Sequence, residues 1–175
     1  EAKEWHTLPG YEEGPWFAYD AGVVILKKPG VKNLDTYGEL PELNELDELA
    51  IQRGLQDITF TSVGYGLQRI VSNPVWGPVH IQADRVRMVA YPHLIQINVP
   101  GMVGDFSILL SNNHSTGGTC FGDSGGPNFL GDSNVVAGVT SFGLNGNCAG
   151  TGGVFRMDRA DVLDFVNEFL KPNKK

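Results

Sequence analysis

Glycine and proline cut this chain into short pieces: 23 and 10 of its 175 residues leave few uninterrupted runs long enough for a helix. Most of the runs between them are rich in Val, Ile, Phe and Thr, residues that suit a pleated, half-buried surface. The pattern predicts strands at 21–27, 57–65, 83–89, 105–110, 135–142 and 153–156, and therefore an all-β fold. Two stretches depart from it. In PELNELDELAIQRG, Leu40, Leu43, Leu46 and Leu49 recur every three residues around Pro41, which predicts a short connecting helix or helical turn leading to Gly54. In RADVLDFVNEFLK, Val162, Leu163, Phe165, Val166, Phe169 and Leu170 recur at spacings of one, three and four. With Asp158 or Asp161 available as a cap, that segment predicts an amphipathic helix closing the chain.

Composition narrows the function classes. Hydrophobic residues make up 41% of the chain, enough for the core of one domain. Thirteen Lys and Arg against twenty Asp and Glu give a net charge of -7, which argues against nucleic acid or an anionic membrane surface as the main partner. No apolar run approaches the ~18 residues a membrane span needs. The opening EAKEWHTLPG has neither the basic nor the apolar region of an export signal. Cys120 and Cys148 fit one disulfide in an oxidising compartment, with two reduced core cysteines as the plainer alternative.

The stretch TGGTCFGDSGGPNFLG, residues 116–131, wraps Ser124 in glycines. Gly122-Asp123-Ser124-Gly125 formally fits G-x-S-x-G, a nucleophile turn, but it is also ordinary turn chemistry. Its partners must decide. The turn of α/β-hydrolases needs a histidine after the serine, whereas His6, His80, His93 and His114 all precede Ser124 and no βαβ alternation is present. The order Asp, His, Ser of subtilisin-like enzymes is formally met by Asp20, His80 and Ser124, yet such folds need more helices than this chain offers.

A third arrangement accounts for more of the chain. CFGDSGGP at 120–127 resembles the nucleophile motif of the trypsin- and chymotrypsin-like serine proteases, secreted bacterial-type members included. GVTSFG at 138–143 resembles that family's strand along the substrate cleft, and CAGTGGVF at 148–155 its far pocket wall. YDAGVVILKKP at 19–29 is similar to its catalytic-aspartate motif. The resemblance implies a chymotrypsin-like double β-barrel with an incomplete first barrel and a C-terminal helix. The expected division is 1–38 as a remnant of the first barrel, 39–54 as connector, 55–157 as second barrel and 158–175 as helix and tail.

Chemistry follows from the same resemblance. Ser124 is expected to be the nucleophile and Asp20 the carboxylate that orients its base, with Ser141 beside Asp20. The N–H groups of Gly122 and Ser124 would form the oxyanion hole. Asp123 would point inward and pair with a freed terminal amine. A Cys120–Cys148 bridge would tie the nucleophile loop to the pocket wall. The substrate pocket would be built from Gly118, Thr119, Ser141, Phe142, Gly143 and Gly153. With Gly118 in place of a carboxylate at its base, an Arg or Lys side chain would be buried unpaired, so an apolar residue is expected before the cleaved bond. No metal or cofactor is implied.

The base is the missing part. WHTLPGY at 5–11 resembles an exposed family loop just before the aspartate, so His6 is expected on the surface and not in catalysis. The sequence therefore reads as the C-terminal portion of a secreted serine endopeptidase, inactive alone, with polypeptide substrates and an N-terminal segment as an associated piece. The competing expectation is a non-catalytic homologue that uses the cleft to bind peptides or proteins.

Overall fold

The computed structural model describes residues 1–15, 17–50, 57–101 and 104–170. Two strands, β1 (Ala2–Thr7) and β2 (Gly22–Leu26), form an antiparallel hairpin with Trp5 opposite Val24. A four-residue helix, α1 (Asp47–Ala50), comes next. The remaining strands are β3 (Phe60–Gly64), β4 (Arg69–Asn73), β5 (Gly77–Gln82), β6 (Met88–Ala90), β7 (Leu94–Val99), β8 (Gly104–Asn112), β9 (Pro127–Leu130), β10 (Val136–Gly143) and β11 (Gly150–Arg156). The chain's last described element is α2 (Ala160–Leu170).

Seven of these strands form one sheet in the order β6-β3-β9-β10-β11-β8-β7. The sheet curls back on itself. Thr59 bridges His93, Phe60 N–H donates to the Pro92 carbonyl at 2.9 Å, and Leu94 N–H donates to the Ile58 carbonyl at 2.8 Å. These bonds bring the start of β7 to β3, already paired with β6, so residues 88–99 close a barrel as one bent strand. Closure removes the unpaired edges that an open sheet would expose. Inside it Leu46, Phe60, Leu94, Ile97, Ile108, Leu110, Ala137 and Val154 form the core.

A second core lies outside the barrel wall. Phe155 and Met157 pack there against Val162 and Phe165 of α2 and against Leu8, just after β1. The apolar stripe of α2 thus fastens the N-terminal hairpin to the barrel. Between the two cores sits Arg156, fully buried, whose guanidinium donates to Asp158 at 2.7 and 2.9 Å, to Asp47 at 2.8 Å and to Asn98 at 2.6 Å. Burial alone would lower its pKa; the hydrogen bonds and charges of Asp158 and Asp47 outweigh that and hold it above the ordinary arginine value. Asp158 also accepts the Leu46 N–H at 2.9 Å, so one carboxylate anchors both the end of β11 and the connector before α1.

Several expectations from the sequence change. The stretch expected as a surface loop, 5–11, begins inside β1. The connector helix expected within 41–54 reduces to Asp47–Ala50: residues 43–46 form turns, and 51–54 lie outside the described residues. The strand expected at 83–89 shrinks to β6, because Gln68 occupies the backbone there: its side chain accepts from Asp84 N–H at 3.2 Å and donates to the Asp84 carbonyl at 2.6 Å. Strands β1, β4, β5, β7 and β9 were not foreseen. No helix of the described residues is long and apolar enough to cross a membrane.

Candidate active site

The loop between β8 and β9 carries Ser124, and its shape is fixed from three sides. The Asp123 carboxylate accepts N–H groups of Gly66 at 2.7 Å and Cys120 at 2.8 Å. A disulfide joins Cys120 to Cys148, with their Cα atoms 5.4 Å apart. Gly125 N–H donates to the Thr140 carbonyl at 2.8 Å, and Thr140 N–H returns a bond to Gly126 at 2.9 Å. Glycine is required at two of the contacts: a Cβ on Gly64 would lie 1.9 Å from Asp123 Oδ1, and one on Gly66 would lie 2.5 Å from the same carboxylate. Gly122 has φ +96°, a left-handed backbone that other residues adopt only with strain. Asp123 points inward as expected, but it takes these two backbone N–H groups, and among the described residues no ammonium pairs with it.

Within this loop the backbone donors divide into two sets. Those of Asp123, Gly125 and Gly126 bond to Cys120, Thr140 and Asp123. Those of Gly122 and Ser124 make no hydrogen bond to the described residues. Two free N–H groups flanking one exposed serine leave a place where a developing oxyanion could be received.

Asp20 reaches the same place from the N-terminal hairpin. Ser141 on β10 donates its hydroxyl hydrogen to Asp20 Oδ2 at 2.5 Å. Ser141 also lines, with Ser124, a cavity of about 200 Å³ whose other walls include Thr119, Phe121, Phe142 and Gly143. Residues distant in sequence therefore converge through one serine. The lining carries no charged side chain.

Of the six residues expected in the substrate pocket, Thr119, Ser141, Phe142 and Gly143 line this cavity and Gly118 and Gly153 do not. At Gly118 the space a side chain would take holds the Asn112 amide, 2.3 Å from a built Cβ, and Asn112 in turn donates to the Thr119 carbonyl at 2.6 Å. At Gly153 the space is filled by the Phe142 ring, 2.3 Å from a built Cβ. The slot is therefore narrower than two bare glycines would leave it. A Cβ on Gly152 would lie 3.1 Å from Thr119 Oγ1, but Gly152 does not line the cavity either. The β10–β11 pairing is irregular between Thr140 and Phe142, and Thr140, Ser141 and Phe142 all line the cavity. Asn145, which also lines the cavity, was missed because nothing in its local sequence marks it.

No histidine lines the cavity among the described residues. His6 stacks on Phe169 of α2, ring centres 4.6 Å apart, and is partly exposed. His93 has a buried Nδ1 without a partner, and His114 is exposed. No group of three or more His, Cys, Asp or Glu that could hold a metal ion occurs among the described residues.

A family model described as Trypsin matches residues 14–164. Among solved structures, HL collagenase superposes with a TM-score of 0.67 at 21% identity, covering 97% of this chain and 68% of its own. Two mutants of human heparin binding protein (CAP37) are similar at 16% identity, with TM-scores of 0.67 and 0.60. They align with 99% and 88% of this chain and with 68% and 58% of their own. No curated protein matches the sequence. At these identities the likeness to the solved structures is one of fold.

Proposed function

The chain belongs to the trypsin family, and on that premise we propose that it carries the nucleophile portion of a secreted serine endopeptidase. Ser124 Oγ attacks the carbonyl carbon of a peptide bond while its proton passes to a base. The tetrahedral oxyanion is received by the N–H groups of Gly122 and Ser124. The C–N bond breaks as the base returns the proton to the leaving amine, and water then hydrolyses the acyl ester on Ser124. Asp20 orients the base and stabilises its cation. The observation that carries this reading is the Ser141–Asp20 hydrogen bond, because Ser141 also walls the cavity beside Ser124.

The base is an imidazole from a polypeptide segment outside these 175 residues. The hairpin supports this: Trp5, Val24 and Leu26 stand on its outer face at 75%, 59% and 42% exposure, an apolar sheet surface suited to further strands. Alone, the chain turns over little, since a serine hydroxyl without a base is a weak nucleophile. The uncharged lining with Phe121 and Phe142 favours an apolar residue on the acyl side of the cleaved bond. The disulfide suits an extracellular setting.

A second reading, a non-catalytic homologue that binds peptides in the cleft, is favoured by the absence of a histidine from the described lining. Hydrolysis of peptide anilides ending in Phe or Leu by the natural polypeptide that contains this sequence separates the two. The catalytic reading predicts turnover that falls about 10⁶-fold in Ser124→Ala; binding without any Ser124-dependent turnover would establish the other.

A further inference from the structure

Phe121, which lines the cavity just described, also lines a second, more open one of about 470 Å³. Its walls include Tyr65, Leu67, Ala83, Arg85, Phe121 and Gly122. Phe121 borders both cavities, and Gly122, with one of the two free N–H groups, stands at the edge of the second. A carbonyl held at Gly122 and Ser124 with its acyl side in the first cavity must send its leaving-group side across the second.

One cation stands in that path. Arg85 is exposed and makes no ion pair among the described residues. Its neighbour Asp84 is already engaged, its carboxylate accepting from Gln82 at 2.9 Å. Along the sequence, residues 60–104 hold Arg69, Arg85 and Arg87 against Asp84 alone, in a chain of net charge -7; the nearby Asp123 carboxylate is taken up by the N–H groups of Gly66 and Cys120. The Arg85 loop is also held in register with the nucleophile loop. Gln68 clasps Asp84 through two backbone bonds, and the adjacent Leu67 N–H donates to the Phe121 carbonyl at 2.9 Å.

We propose that Arg85 is a specificity determinant that selects a carboxylate on the leaving-group side of the substrate, with Gln68 as its positioning residue. The proposal rests on the peptide-cleaving reading of Ser124 and names part of its substrate class. The carboxylate is an acidic side chain or a peptide's own C-terminus, flanked by the rings of Tyr65 and Phe121.

The test uses the natural polypeptide that contains this sequence with Ser124→Ala, so that binding is read without turnover. Four peptides share a Phe on the acyl side and carry, two residues after the scissile bond, Glu, Gln, a free C-terminus, or that C-terminus as its amide for control. Their dissociation constants are followed through the amide resonances of Gly122 and Gly143. The Glu peptide is expected to bind about two- to five-fold tighter than the Gln peptide, the range of an exposed ion pair, with the gain fading as salt is raised. Arg85→Gln should erase the gain and leave the Gln peptide unchanged. Gln68→Ala should reduce the gain while Arg85 is still present. A gain from either the Glu side chain or the free C-terminus supports the assignment, and its source identifies the ligand. Equal binding of all peptides, no binding, or a preference that survives Arg85→Gln overturns it. Loss of the peptidase reading shows instead as absent Ser124-dependent hydrolysis, which this binding measurement does not involve.

Discussion

The barrel and the N-terminal hairpin solve the same problem differently. Both are antiparallel, and both bring one residue to the site, Ser124 from the barrel and Asp20 from just before β2. The barrel closes on itself and buries Phe60, Ile108 and Val154 completely or nearly so. The hairpin has only two strands, leans on α2 and Phe155 with one face and leaves Trp5 exposed on the other. Ser124 and the free N–H groups of Gly122 and Ser124 therefore rest on a self-sufficient scaffold, whereas Asp20 rests on a two-stranded ribbon that is marginal in isolation. Ser141 and the helix α2 are what join the two regions.

Four variants probe that contrast, and urea denaturation reads each of them. Asp158→Ala should cost the most, about 3–5 kcal/mol, because it strands the buried Arg156 charge where barrel and connector meet. Replacing Cys120 and Cys148 by serine should cost about 3.6 kcal/mol, the chain-entropy value for a loop of this length. Gly153→Ala should cost about 1–3 kcal/mol by driving a methyl group into the Phe142 ring. Trp5→Ser should change stability by no more than about 0.5 kcal/mol if the outer hairpin face is bare in the isolated chain. A large loss at Trp5 together with a small one at Asp158 would reverse the assignment of which region stands alone.

What the sequence disclosed depended on how local the cause was. The Ser124 loop was legible because its glycines meet local backbone demands, and the closing helix because its apolar spacing is regular. β9 was hidden since it begins with Pro127, which argues against a strand until one sees that the first position needs no ladder N–H. β4 and β5 were hidden by the polar and proline-rich SNPVWGP between and within them. What surrounds the pocket glycines was not legible. The Phe142 ring that fills the space beside Gly153 comes from the paired strand β10. The Asn112 amide over Gly118 is likewise a tertiary contact with no local mark.

The central claim is that Ser124 becomes a nucleophile when a base is held by Asp20. The direct measurement is intact-mass and peptide-level mass spectrometry of the natural polypeptide after reaction with a phosphonate ester bearing a Phe-like side chain. The account predicts one adduct per chain, on the peptide containing Ser124, formed about 10⁴-fold more slowly in Asp20→Asn. An adduct on another residue, or equal rates with and without the Asp20 carboxylate, would contradict it.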